Sequence, residues 1–410
     1  MRNVDIIGVG MTPFGRHRDR THTDLIQQAA REAIADAGIA ATDLDTTIYS
    51  NVVQAFVAGE MSIPGEYALR PLGITGVRAF HVEAACASAT VALHLAYDLV
   101  RTGLADVVLA VGAEKLYNDD RAKRLAVFQQ PLDVIEAQRY LDATAGRLAP
   151  VPPEFDGPSP NVLMEAYAAQ ARLHMATYGT RQEHFAAISA KNHVHSEWNP
   201  LSQYRTPMTV AEIMAAPVVA WPLTVPMCAP ISDGASAAVV CAADLTARFA
   251  SRGAIRVRAC RSLTGTERDP ADYAAHVSRR VSGLAYADAG IGPEDIDVAE
   301  VHDASSSGEV VQIEAVGLAP PGEAGPAALR GELALGGRCP VNVSGGLVSK
   351  GHPLGATGLA QIHELVTQLR GAAGLRQVEG ARLALAENSG GFYGVEDAMS
   401  CVTILEKLHP

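Results

Sequence analysis

Aromatic residues are scarce in this sequence: two Trp, 11 Tyr and eight Phe among 410 positions, so Ala, Val, Leu and Ile must fill its core. Positive charge is also short. The net charge is −12, and no local basic patch offsets it, which excludes a nucleic-acid surface. No CxxC pair occurs among the six cysteines (86, 228, 241, 260, 339 and 401), which argues against a zinc site or disulfide framework and for a reducing compartment. No run approaches the roughly 18 apolar residues of a membrane span. The opening MRNVDIIGVG is too short an apolar stretch for a secretory leader, and the final KLHP is no peroxisomal signal, so a cytoplasmic home is expected. The length suits two core-bearing units, at about 100–200 residues each.

What is present is strand–helix alternation, which implies a layered α/β fold. Val4 to Val9 reads as a buried strand, Thr23-Asp24 as the N-cap of a helix through Ala37, and Gly38 as its C-cap. Thr46–Tyr49 and Arg78–Glu83 read as strands, the latter leading into a turn at Cys86. The next helix, from Ala87, sets Val91, Leu95 and Leu99 on one face, and Asp106–Gly112 reads as a central strand. From Lys115 to Thr209 charge and proline increase, with helices near Asn161–Tyr178 and Arg181–His193, as in an inserted loop domain. Ser232–Ala242 returns to the core style, with Gly234 at a tight turn.

A repeat organises the chain. AIADAGIAATDLD (33–45) and AYADAGIGPEDID (285–297) agree without gaps at eight positions, each a helix end, a glycine cap and a strand entry. The turn and helix after Cys86 are echoed by those after His352. Two halves near 1–245 and 250–410 follow, with Cys86 and His352 at pseudo-equivalent helix N-termini.

Cys86, at a helix start, would feel the positive end of the macrodipole, which favours the thiolate; the competing reading is a small buried cysteine. His352, on the stiff turn SKGHPLGATG, could deprotonate it and donate to an oxyanion, or merely satisfy local backbone. His302, in AEVHDASSSGE, falls at a strand end, where active sites of α/β folds gather. An apolar strand from Leu383 is followed by Asn388, Ser389, Gly390 and Gly391, where glycines let a backbone N–H approach a substrate, or where a hairpin simply turns. HVH at 193–195 has strand-type ligand spacing but no third ligand nearby, so no metal is expected. Glu183-His184 reads as surface.

These residues match a known pattern. The chain resembles the thiolase superfamily, most closely its sterol-carrier-protein type branch, through MTPFG (11–15), the Cys86 turn, YGTRQEHFAAISAKNHVHS (178–196), NPLSQ (199–203), SDGASAA (232–238), VHDAS (301–305) and NVSGGLVSKGHPLGATG (342–358). The resemblance implies a five-layered αβαβα fold, one half from 1–114 and 210–245, an inserted loop domain at 115–209, and a second half at 250–410. It also implies a homodimer or tetramer, thioesters of coenzyme A as substrates, and no permanently bound cofactor. Carried over, Cys86 is the acylated nucleophile, and His352 activates it and lines the first oxyanion hole. His302 stands where most thiolases hold a water with Asn, and the Cys86 N–H with that of Gly390 or Gly391 forms the second hole. Two departures matter. Asn388 stands where most thiolases have a second, acid/base cysteine, and Ala304 where the sterol-carrier type has one.

Four readings remain. The first is thiolase-type acyl transfer from acyl-CoA through Cys86 to, or from, a carbon nucleophile. The second is a decarboxylating ketosynthase using Cys86, His302 and His352. The third is a thiolase-like aldolase working with a small OB-fold, zinc-ribbon partner, and the fourth a non-catalytic lipid or thioester binder. An acyl-carrier thioester could replace the CoA ester in the first two.

Overall fold

The computed structural model describes residues 1–120, 122, 126–127, 131–155, 157, 162–249 and 253–408, for 131–133 the backbone alone. The strands are β1 (Val4–Met11), β2 (Thr46–Ser50), β3 (Arg78–Val82), β4 (Val107–Lys115), β5 (Val218–Ala220), β6 (Leu223–Thr224), β7 (Asp233–Ala242), β8 (Ile255–Thr264), β9 (Val298–Glu300), β10 (Leu383–Tyr393) and β11 (Glu396–Lys407). The helices that position the site are α1 (His22–Ala37), α2 (Ser88–Arg101), α3 (Pro131–Thr144), α4 (Val162–Tyr178), α5 (Gln182–Ser196), α6 (Val277–Ala289), α7 (Ser306–Ala315) and α8 (Thr357–Leu369).

Nine strands hydrogen-bond in the order β3-β2-β4-β7-β1-β8-β11-β10-β9, while β5 and β6 form a separate ribbon. The pairing repeats about the β1–β8 seam, where Val4 faces Val257 and Ile6 faces Ile255 in antiparallel register. On one side β7 lies antiparallel between β1 and β4, and β4 and β2 continue in parallel to β3. On the other, β11 lies antiparallel between β8 and β10, β10 runs parallel to β9, and Ala299 of β9 bridges in parallel to Val341. The Val341 segment thus holds the place of β3. Each leads through a turn into a helix, α8 in one case and α2 in the other. The aligned repeats carry the same geometry: Gly38 (φ 65°) and Gly290 (φ 66°) end α1 and α6 in the left-handed region, and a short turn then enters β2 and β9.

The core explains the layers. Helices α2 and α8 share one apolar cluster with inward residues of both halves, including Ile6, Val108, Ala110, Val257, Ala384 and Leu405. Helix α1 covers the outer face of the first half and α6 that of the second. The result is the αβαβα arrangement, and β1 is buried along its whole length because both its faces are covered. Gly8 and Gly10 let β1 press on α1, since a Cβ at either would overlap carbonyls of Ala33 or Ala29.

Several expectations need correction. The N-cap of α1 is Thr21, whose hydroxyl accepts from the Asp24 N–H at 3.1 Å while the Asp24 carboxylate accepts from the Thr21 N–H at 2.8 Å; Thr23 lies inside the helix. In α2, Val91 and Leu95 are only half-buried, whereas Leu93, Ala96 and Val100 are fully covered, because a middle-layer helix has more than one buried face. Helix α4 begins at Val162, with Asn161 outside the described residues, and α5 runs on to Ser196. HVH therefore sits on a helix rather than a strand. His184 is buried, not surface, while Glu183 is exposed.

The crossing of α2 and α8 sets up a test. A Cβ at Gly358 would overlap the Thr90 hydroxyl and lie 2.7 Å from the Thr90 backbone nitrogen. Gly358→Ala is expected to lower the unfolding free energy by about 2 kcal/mol in chemical denaturation, although alanine is the better helix former. Gly283→Ala, in α6 with open space around it, should instead raise it by about 0.5–1 kcal/mol.

Candidate active site

Cys86 sits at an elbow just before α2. Ala85 adopts a left-handed backbone (φ 48°), which costs an alanine roughly 1 kcal/mol or more. The Ser88 hydroxyl holds this shape, accepting from the Ala84 N–H at 2.8 Å and donating to the Ala85 carbonyl at 2.6 Å. Strain retained this way presents the Cys86 thiol, partly exposed, into a cavity of about 520 Å³.

The turn before α8 delivers His352 to the same place. A single π-helical turn over Gly346–Lys350 precedes Gly351, whose φ of 115° is open only to glycine. Asp303, fully buried, pins that turn by accepting from the Leu347 N–H at 2.6 Å and the Val348 N–H at 3.2 Å. His352 Nε2 lies 3.3 Å from Cys86 Sγ, across 266 positions of sequence. Its Nδ1 is 2.7 Å from the Thr357 hydroxyl, which itself donates to the Pro353 carbonyl at 3.0 Å. The hydroxyl can therefore only accept from the ring, so Nδ1 carries the proton and the Nε2 lone pair faces the thiol.

His302 follows β9, and its ring packs edge-on against His352 with centroids 5.3 Å apart. The Asn388 amide is 3.2 Å from His302 Nδ1, and the Asn388 carbonyl accepts from Thr90 at 3.2 Å. That orientation makes Nδ1 an acceptor and leaves the proton on Nε2. Burial pushes His302 down to about 4, and burial, with His302 and Lys350 nearby, holds His352 well below the usual imidazole range. Both rings are neutral at neutral pH, one offering a lone pair and the other an N–H.

Asn388, Ser389, Gly390 and Gly391 are inside β10, not in a turn after it as expected. Gly390 lies where β10 passes the elbow: a Cβ there would be 2.6 Å from the Ala87 nitrogen and 2.9 Å from that of Cys86. Gly391 (φ 70°) has no partner in the ladder between the Gly390–Met399 and Phe392–Asp397 pairs. The structure thus brings Cys86, His302, His352, Asn388 and Gly390 together, with Gly391 on the cavity wall.

That wall is largely apolar, with Val53, Phe56, Leu163, Met164, Ile231 and Phe392. Its contributions from 52–56 and from Val127 fall in the two stretches the sequence suggests for the pocket. Glu114 ties the wall to the histidine turn: its buried carboxylate accepts from the N–H groups of Val52 (2.9 Å), Val53 (3.1 Å) and Gly355 (3.0 Å). Sequence reading missed Glu114, Thr357, Ser232, which accepts from the His352 N–H at 3.0 Å, and Thr90. None carries a local signal beyond its place in a motif. His193 and His195 act as struts under the turn, reaching the Ser349 hydroxyl at 3.2 Å and the Asn342 carbonyl at 3.0 Å.

Cys86, His302 and His352 each place a ligand atom within 4.8 Å of the others. A zinc ion needs closer approach, roughly 3.5 Å between ligands, so the rings would have to move inward to hold one. As they stand, the geometry suits proton transfer to and from sulfur.

Comparison with known proteins agrees with this site. Residues 4–212 match the family profile "Thiolase, N-terminal domain" and residues 263–407 "Thiolase C-terminal domain-like". Sterol carrier protein 2 of Rattus norvegicus is 37% identical over 404 residues, covering 94% of this chain and 70% of the rat protein. The acetyl-CoA acetyltransferase of Methanothermobacter thermautotrophicus is 36% identical, covering 96% and 98%, and the benzoylsuccinyl-CoA thiolase subunit BbsB of Thauera aromatica 32%, covering 95% of each. Among solved structures, an Ltp2-ChsH2(DUF35) aldolase matches at TM-score 0.77 and 23% identity, covering 99% of this chain and 98% of that one. Human mitochondrial 3-ketoacyl-CoA thiolase in complex with CoA matches at 0.67 and 17%, covering 100% and 98%. At these identities both speak for the fold alone.

His352→Ala is expected to slow alkylation of Cys86 by iodoacetamide at least about tenfold at neutral pH, read by intact mass. In the unsubstituted protein the rate should show no inflection near pH 6.5, because burial keeps both imidazoles neutral there.

Proposed function

The chain belongs to the thiolase family, and on that premise we propose that it is an acyltransferase carrying an acyl group from acyl-CoA on Cys86 to, or from, a carbon nucleophile. The single observation that carries this is the 3.3 Å approach of His352 Nε2 to Cys86 Sγ at the wall of an apolar cavity. In this reading His352 takes the thiol proton, and the thiolate attacks the thioester carbonyl. His302 Nε2–H and the backbone N–H groups of Cys86 and Gly390 or Gly391 offer donors to the oxyanions. The imidazolium then protonates the departing CoA sulfur, leaving an acyl group on Cys86. Coenzyme A enters as a substrate thioester, without a permanently bound cofactor.

The repeated strand pairing supports dividing the chain into halves at 1–114 with 210–245 and at 250–410, with 115–209 inserted. Strand β3 ends the sheet with its residues exposed, Phe80 among them, which supports a homodimer through that edge. The third reading, with a small partner protein, finds support in two printed names: BbsB is called a subunit, and the Ltp2 aldolase is titled with a DUF35 partner. Among the described residues no helix is long and apolar enough to cross a membrane.

Incubation with acetyl-CoA and longer acyl-CoAs should give a protein mass shifted by one acyl group, lost in Cys86→Ala. No adduct from any acyl thioester would sink the proposal. Carbon dioxide released from malonyl-CoA would move it to the decarboxylating alternative.

A further inference from the structure

Forming or breaking a carbon–carbon bond next to a thioester requires a group that takes the proton of the α-carbon and returns it. Neither imidazole is free for that. The available lone pair of His352 faces the Cys86 thiol, and that of His302 is engaged by the Asn388 amide. A second, smaller cavity lies behind His302. It is about 40 Å³, is lined by His302, Ala304, Tyr167, Gln312, His276 and Asp397, and shares Ala304 and Tyr167 with the cavity that holds Cys86. At roughly 10–15 Å³ for each water, it has room for about three.

An unmet hydrogen bond points the same way. Gln312, 4% exposed, donates to the Asp397 carboxylate at 3.0 Å, but its own Oε1 has no partner. A buried amide oxygen in that state calls for a donor such as water. We propose that Asp397, through water in this cavity, accepts the α-proton of the substrate and later returns it, so that the space behind Ala304 is the proton reservoir of the carbon–carbon step. This rests on the acyl-transfer reading and supplies its second acid/base.

In the condensing direction the C–H bond of the second thioester breaks, and its proton passes over water to the Asp397 carboxylate. The electron pair left on carbon attacks the acyl carbonyl on Cys86. The C–S bond breaks with its electrons on sulfur, and the proton from Asp397 restores the thiol. Cleavage runs the same steps backwards. The surroundings of Asp397 fit the task. Burial pushes it up to about 6. On β10, Glu387 is pushed up to about 8 and keeps its proton, with the Ser389 hydroxyl donating to it at 2.6 Å. At the start of α6, His276, 3.9 Å from the carboxylate, is held at about 3 by burial and is neutral. Glu396, next in sequence, is ion-paired with Arg268 at 2.8 Å and with Arg280, while Tyr140 and Tyr273 complete the lining. Asp397 alone in this set is both ionised and close to its balance point at neutral pH.

The test is deuterium wash-in at the α-carbon of acetyl-CoA and propionyl-CoA in heavy water, followed by NMR with the full chain. Exchange should rise with pH through about 6, since only the carboxylate accepts a proton, and then level off. Asp397→Asn should slow it at least about tenfold and flatten the profile while the acyl adduct on Cys86 still forms. Asp397→Glu should retain the inflection. Ala304→Cys in the Asp397→Asn background should restore exchange, by placing a titratable thiol at the wall the two cavities share. Exchange in Asp397→Asn at the original rate, or with the inflection intact, overturns the proposal. So does loss of exchange and adduct together in both Asp397→Asn and Asp397→Glu, which would make Asp397 a structural strut. Wash-in needs no acyl group on sulfur, so it can succeed where the mass shift fails, and the reverse.

Discussion

Everything in the site depends on how closely two helices cross in the middle layer. At the crossing, the backbone of α8 at Gly358 lies against Thr90 of α2, with no room for a methyl group between them. Cys86 is four residues before Thr90 and His352 six before Gly358. The separation of the helix axes therefore sets the distance between sulfur and imidazole. Thr90 also donates to Asn388, which orients His302. One contact thus governs the nucleophile, its base and the neighbouring donor.

Such a site needs a stiff surround, because its members come from distant parts of the chain. Left-handed Ala85 is retained by the Ser88 hydroxyl, and the turn before His352 is held from beneath by buried polar groups. Lys191 there meets Glu309 at 2.8 Å and the Val341 carbonyl at 2.6 Å, and Lys350 meets Glu300 at 3.4 Å. A buried pair like these adds little net stability, but removing one partner strands a charge in the interior. Their effect is positional. They pin the segment that stands in for β3 in the second half, which β9 holds by a single bridge.

Much of the frame was legible in the sequence because it rests on local rules. The aligned runs at 33–45 and 285–297 show their glycine caps directly, since only a left-handed residue ends those helices so sharply. Cys86 and His352 stood out through turn context. Other features depend on tertiary neighbours and leave no local trace. Glu114 looks like the polar end of a strand, yet it joins the cavity wall to the histidine turn. His184 looks like a surface residue, but Gly325 packs against its ring. Asn388 to Gly391 resemble a turn because of their composition. They are strand instead, because β10 must pass so close to the Cys86 elbow that only glycine fits at 390. Val91 and Leu95 fit an amphipathic face, but a helix covered on more than one side does not obey a single stripe.

The two cavities differ in a way that matters for chemistry. Around Cys86 the wall is apolar, which raises the cost of charge and keeps both imidazoles neutral, each with its proton on the nitrogen its neighbour selects. A thiolate formed there is short-lived and paired with the imidazolium that made it, a state suited to attack on a thioester. Behind Ala304 the lining is polar, with carboxyls whose ionisation is shifted toward neutrality by burial and by each other. Protons can rest there at small cost. A small side chain at 304 leaves the two regions in contact, so sulfur chemistry in a dry chamber and proton storage in a wet one share one wall. A bulky apolar residue at that position would separate them and leave the carbon step without its base, whatever happened at Cys86.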